Sequence, residues 1–174
     1  MILDQDSAWR FINGYKKLLL EIDDDDESNS DGIVAKLISA RKKLIEEPGL
    51  LQETQARLAA ISDAVDPEVV QAVQGLDVRK WVYLRDTKIH SIFLDTTDRR
   101  AFGVIGLTDR LRDVLGGAGV LLETGLVRYR GRFVCDGLII KSVWLGPNYK
   151  KSFNEAFAEW KAEGRFFVKC DGQF

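Results

Sequence analysis

The spacing of apolar residues changes once along the chain, at Gly75. Before it they recur every three or four residues, as one face of an α-helix requires; after it they alternate with polar residues, as a half-buried strand requires. A chain with that switch has a helical part followed by a β-rich part. Few crossover helices separate the later strands, and short neighbouring strands form antiparallel ladders. The expected class is therefore α+β: a helical region over residues 1–76, then a mostly antiparallel sheet with two flanking helices over 77–174. The helical region is either a domain or an appendage of one.

In the first part, Phe11, Ile12, Tyr15, Leu18, Leu19 and Ile22 make a helical stripe over 7–22, with Asp6 as N-cap. The run "DDDDESNSDG" at 23–32 dissolves it, because like charges repel and short polar side chains compete for backbone hydrogen bonds. A second helix carries Val34, Leu37, Ile38, Leu44 and Ile45 up to Pro48-Gly49. A third places Leu51, Thr54, Leu58, Ile61 and Val65 at steps of three and four, a stripe that could pair with a copy of itself. Asp66-Pro67 opens a short fourth helix and Gly75 closes it.

In the second part, "KWVYLRD" and "IHSIFLD" flank an Asp86-Thr87-Lys88 turn and read as a hairpin. "AFGVIG" is a third strand, and "LTDRLRDVL" a short helix with Thr108 as N-cap and Gly116-Gly117 as its stop. Residues 119–145 read as extended segments broken at Thr124-Gly125, Arg130-Gly131 and Asp136-Gly137. The last helix shows a capping box at Ser152 and Glu155, an apolar face of Phe153, Ala156, Phe157 and Trp160, and a stop at Gly164. "RFFVKC" closes as a strand.

Composition limits the function. The 45% apolar and 30% charged residues are those of a soluble globular protein. No apolar run approaches the roughly 18 residues that span a membrane, and the first residues lack the features of a signal peptide. Two cysteines without metal-ligand spacing point to a cytoplasmic protein with reduced thiols. Residues 1–76 hold 8 Lys/Arg against 15 Asp/Glu, a balance of −7; residues 77–174 hold 17 against 12, or +5. The β-rich part is thus compatible with a polyanionic partner.

Most motifs that suggest chemistry fail on their own terms. A calcium loop over the acidic run, with Glu27, Asn29 and Asp31 as ligands and Gly32 at the turn, would put Ile38 where a bidentate glutamate is needed. His90, the single histidine, has Ser91 pointing to the opposite strand face, so it reads as a half-exposed strand residue. "LGGAG" at 115–119 follows a helix instead of opening one, the reverse of a phosphate loop. Cys135 sits in an apolar strand and reads as a small buried hydrophobe. No metal site and no cofactor is expected.

There remains "LVRYRGRFVCDG", residues 126–137, with arginine at every second position. In a straight strand Arg128, Arg130 and Arg132 share one face. If Arg130-Gly131 is instead a hairpin tip, Arg128 and Arg132 become cross-strand neighbours. Guanidinium suits bidentate phosphate contacts, and Lys141, Tyr149 and Lys150 would extend a basic-aromatic surface for single-stranded nucleic acid. The plainer reading of the same arginines, and the favoured one, is a polar sheet face on which they pair with Glu123, Asp136 or residues of another strand. Within this stretch Gly131, Arg132, Asp136 and Gly137 resemble a G-[KR]-x-x-x-D-G pattern of uncharacterised bacterial proteins, which implies a bacterial origin and no activity.

The expected function is a non-catalytic binding or regulatory module that contacts a polyanion through the basic hairpin. Two alternatives stand beside it. One is a small enzyme with a dispersed Asp/Glu/Arg/Tyr site; the other is an assembly factor that meets a protein partner through the N-terminal helices.

Overall fold

A computed structural model describes residues 1–22 and 32–170, and of Ser142 the backbone alone. It divides into two compact units, one of Gln5–Gly75 and one of Met1–Asp4 with Leu76–Phe174. The acidic run and the calcium register drawn on it lie outside the described residues.

The helical unit holds α1 (Gln5–Ile22), α2 (Gly32–Glu46), α3 (Leu50–Ala60) and α4 (Pro67–Gln74). Helix α1 starts one residue before Asp6, which therefore lies in the first turn and is not the cap. Its stripe of Phe11, Tyr15, Leu18 and Leu19 is buried, and α2, α3 and α4 all pack against it. Helix α3 ends at Ala60, so Ile61 and Val65 fall outside it and Ile61 is exposed. Leu51, Thr54 and Leu58 are already buried. At α4 the Asp66 side chain accepts from the Glu68 N–H at 2.8 Å, with Pro67 in the first turn and Gly75 as C-cap.

The other unit is a closed barrel. Strands β1 (Asp77–Asp86), β2 (Ser91–Asp95) and β3 (Arg100–Ile105) form an antiparallel meander. Helix α5 (Leu111–Leu115) then leads to β4 (Val120–Tyr129) and β5 (Arg132–Cys135), which are antiparallel to each other. Strand β4 also pairs with β1, from Asp77↔Leu126 to Tyr83↔Val120, while β5 lies parallel to β3. These contacts close the ring β1-β2-β3-β5-β4. Strand β6 (Ile140–Trp144) adds to β4, helix α6 (Pro147–Ala162) follows, and β7 (Phe166–Phe167) runs parallel to β3. The sheet is α+β and mostly antiparallel; the two parallel pairings and the closure are long-range and leave no local trace in the sequence.

Alternation sorts the side chains into two layers. Trp81, Tyr83, Phe93, Phe102, Val104, Leu122, Leu126 and Phe133 fill the barrel, with Leu111 of α5 among them. Val82, Leu84, Ile92, Leu94 and Ala101 point outward and are covered by Phe157 and Trp160 of α6. Both faces of β2 and of the adjoining Trp81–Leu84 stretch of β1 are thus dry, which explains the unbroken burial of Ser91–Asp95. Helix α6 begins at Pro147, so Ser152 and Glu155 lie inside it and do not cap it. Proline's fixed φ suits a first helical turn and sets the start earlier. Helix α5 starts at Leu111, and Thr108 instead donates to Asp109 at 2.7 Å.

Strand β4 runs unbroken through Thr124-Gly125. On one edge it pairs with β6 at 120–123 and with β5 at 126–129, so the backbone between faces a gap where the neighbouring chain leaves. Asp136 fills that gap. Its Oδ1 accepts from the Gly125 N–H at 3.2 Å, the Leu138 N–H at 3.0 Å and the Thr124 hydroxyl at 3.0 Å, while its own N–H donates to the Gly125 carbonyl at 2.9 Å. The Trp81 indole donates to the Thr124 carbonyl at 3.0 Å from the barrel side. Gly125 is glycine because of this contact: a Cβ there would lie 2.4 Å from Asp136 Oδ2 and 2.5 Å from a Leu76 methyl.

Gly125→Ala should therefore cost about 3 kcal/mol or more, through overpacking and disrupted Asp136 bonds. At Gly131 an added methyl meets nothing within 4 Å, and only its φ of +68° opposes alanine, at about 1 kcal/mol. Urea midpoints of the two variants should differ accordingly; equal midpoints would remove the packing role assigned to Gly125.

Candidate functional site

The hairpin between β4 and β5 turns on two residues, Arg130 at φ +53° and Gly131 at φ +68°. Positive φ at both central positions is the turn whose twist matches its flanking strands. A two-residue turn sets Tyr129 opposite Arg132 and Arg128 opposite Phe133, one step away from the expected Arg128–Arg132 pairing. Arg128 thus has the parity of the barrel-filling Leu126 and Phe133, Arg132 that of the outward Val127 and Val134, and Arg130 stands at the tip. The row does not share a face. All three arginines are nevertheless exposed, and they surround one turn.

That turn is fixed from two sides. The Cys170 N–H donates to the Gly131 carbonyl at 3.2 Å, and Lys169 bridges Arg132, which brings a fourth exposed cation to the rim. The Arg130 guanidinium lies 5.7 Å from the Tyr129 ring centroid. Arg130 and Arg132 border a cavity of about 390 Å³ whose other walls are Met1–Asp4, Ile89 and Ile105. Residues 1–4 reach this place by pairing with the end of β3: Leu3 N–H donates to the Gly106 carbonyl at 3.1 Å and Gly106 N–H to the Met1 carbonyl at 3.0 Å. Ile89 is 64% exposed although its loop is tightly bonded, with Thr87 Oγ1 accepting from the N–H groups of Ile89 and His90. An apolar side chain held out in a rigid loop beside two arginines can take a flat apolar group while the arginines take an anion.

His90 was expected on a half-exposed strand face; it is buried, one residue before β2. Thr87 folds the loop inward, and the imidazole packs on Gly103, where a Cβ would come within 3.0 Å of the ring. Its Nε2 is buried without a hydrogen-bond partner. Burial, then Arg132, then the chain's amino terminus hold its pKa below the ordinary histidine value. Ser91, on the other face, donates to Asp86 at 2.7 Å, as does the Tyr83 hydroxyl, whose pKa is raised by burial and by that carboxylate. Cys135 is buried as expected, with its sulfur 3.3 Å from the Thr124 hydroxyl. The "LGGAG" glycines do serve as a helix stop, Gly116 at φ +77°.

Lys141, Tyr149 and Lys150 do not join the arginines. Lys141 pairs with Leu122, eight residues along β4 from Arg130, or about 26 Å of extended strand. There the Lys141 ammonium sits 4.0 Å from the Trp144 ring centroid, and Lys150 lies across Gly119, where a Cβ would meet its side chain at 2.3 Å. These lysines form a second basic area. Other arginines serve the fold: Arg79 and Arg100 both donate to the buried Asp95, at 2.8 and 2.9 Å. Burial alone would raise the Asp95 pKa, but the Arg100 bond, the Asp98 N–H and the charges of Arg79 and Arg100 together hold it below the ordinary carboxylate value. Among the described residues no three His, Cys, Asp or Glu side chains converge to hold a metal ion, and no helix is long and apolar enough to cross a membrane.

Comparison with protein families, with curated proteins and with solved structures finds no match. Sequence reasoning identified the arginines but missed Ile2, Ile89, Ile105 and Lys169. The sequence carries one faint signal for them, an isoleucine in the middle of the otherwise polar turn "DTKIH".

Two of the shifted groups, His90 and Asp95, predict the pH profile of stability on the acid side. His90 has a lowered folded pKa, so as pH falls below about 6.5 the unfolded chain takes up a proton first and stability drops until the folded value is passed. Asp95, also lowered, contributes stability above about 3.9 that is lost as pH falls through its folded value. Urea midpoints of the parent should decline from pH 7.5 to 5, and His90→Gln should flatten that segment while leaving the acid limb. An unchanged slope in the variant would show that His90 is not the group responsible.

Proposed function

We propose that the β unit is a non-catalytic polyanion-binding module that holds single-stranded nucleic acid at the rim between the β1–β2 and β4–β5 turns. The observation that carries this reading is the grouping of exposed Arg128, Arg130, Arg132 and Lys169 around one fixed turn, beside a cavity with isoleucine walls. Guanidinium groups take phosphates bidentately, and the apolar recess accepts a base face. The outer face of β1–β3 is covered by Phe157 and Trp160, so the rim is the better candidate for contact.

A cytoplasmic setting, with Cys135 and Cys170 as thiols, goes with this reading. Catalysis is less well supported, since among the described residues Asp4 is the one carboxylate lining the cavity and acid–base work commonly uses a pair. Assembly through α3 would have to use Leu51 and Leu58, which the helical unit already buries.

Replacing Arg128, Arg130 and Arg132 together with Gln should leave the fold intact and weaken binding to single-stranded RNA sharply at low salt. The slope of log affinity against log salt should flatten by about two units, since each lost phosphate contact on a single strand contributes about 0.7. Lys141→Gln with Lys150→Gln should leave the slope near that of the parent. Equal slopes for parent and triple variant would sink the proposal, and so would a triple variant that fails to fold.

A further inference from the structure

Strand β6 ends the hydrogen-bonded path of the sheet and pairs, among the described residues, with β4 alone, from Val120↔Trp144 to Glu123↔Ile140. Its other edge presents backbone N–H and C=O groups to no named strand. Exposed edges are usually blunted by proline, by inward charges or by covering. Strand β6 has no proline, and its one charge, Lys141, lies over the Trp144 ring. Its protection is limited to that one lysine, its length of five residues and a register shift opposite it, between Leu121 and Leu122. Ile140, Val143 and Trp144 are 40%, 53% and 44% exposed, so an apolar surface accompanies the open edge.

We propose that this edge takes a short, extended, acidic segment of a partner protein as an added strand. Main-chain bonds to β6 would provide the register, and alternate side chains of the segment would cover Ile140 and Val143. Charge selects the occupant. From Ile140 to Lys151 the chain carries three lysines and no acidic residue, and Lys141, Tyr149 and Lys150 are all exposed. Carboxylates on the incoming segment would meet Lys141 and Lys150; Glu123, across from Ile140, is the one nearby acid on the sheet. A second copy is the poorer occupant. Five residues of strand extend about 17 Å, too short a contact to bury by itself the roughly 800 Å² per partner of a stable dimer, and two copies would bring their lysines together. The site is independent of the arginine rim.

The test uses the full chain and a fluorescein-labelled nine-residue peptide alternating Asp or Glu with Val, followed by anisotropy and by amide exchange of β6. The acidic peptide should bind in the micromolar range and slow exchange at residues 140–144. The same peptide N-methylated at every residue should bind at least about tenfold more weakly, because neither of its edges can then donate to β6. Its lysine-substituted counterpart should not bind. Lys141→Glu, with circular dichroism to verify folding, should reverse that preference. The proposal is overturned if the N-methylated peptide binds equally, if the β6 amides stay unprotected, or if no binding is seen at millimolar peptide. Sedimentation showing a dimer whose β6 amides are already protected would likewise overturn it, in favour of a second copy.

Discussion

The barrel depends on what happens where β4 changes neighbours. A strand with β6 along one half of an edge and β5 along the other must pass a point where neither supplies a partner, and buried backbone groups there would each cost about 1–3 kcal/mol. Asp136 replaces the missing strand with a carboxylate. Around it the other choices become necessary ones: glycine at 125, because a methyl would occupy the oxygen's place, and threonine at 124, whose hydroxyl reaches both the carboxylate and the Leu138 carbonyl. Gly137, at φ +84°, then turns the chain toward β6. The Asp-Gly pair that looks like a simple turn in the sequence is the joint that lets one long strand serve two partners and still close on β1.

Local features were legible in the sequence and long-range ones were not. Asp66-Pro67 with Gly75 marks α4 at both ends because a cap and its helix are neighbours in sequence. Phe153, Phe157 and Trp160 mark the inner side of α6 by their spacing alone. The same helix shows the limit: Ser152 and Glu155 have the spacing of a cap, but Pro147 begins the helix five residues earlier. Closure of β4 on β1 and the parallel run of β5 beside β3 join residues some thirty or more apart, and no pattern of alternation encodes them. Thr124-Gly125 was misread for a related reason, since its glycine answers to an aspartate on another strand.

The candidate site divides in the same way. The arginines announce themselves by composition, yet their directions depend on the turn. Two residues in the loop instead of three move the pairing by one and send Arg128 and Arg132 to opposite sides. Ile89 and Ile105 could not be found, because each is ordinary in its own segment and gains meaning only where the β1–β2 loop meets the end of β3. His90 owes its burial to the loop that Thr87 folds inward and to the absent side chain of Gly103, and that glycine lies on a different strand.

The pairing of residues 1–4 with Gly106 has a consequence for the order of folding. The helical unit, Gln5–Gly75, is an excursion between the first strand-like residues and the barrel they complete. Its helices make mostly local contacts and can form while the chain is still being synthesised. The opening residues, by contrast, must stay extended until about a hundred more have emerged, and the entropy of closing so long a loop falls on that one late contact. Met1–Asp4 can dock only once Gly106 has emerged, and docking finishes a wall of the cavity that Arg130 and Arg132 border.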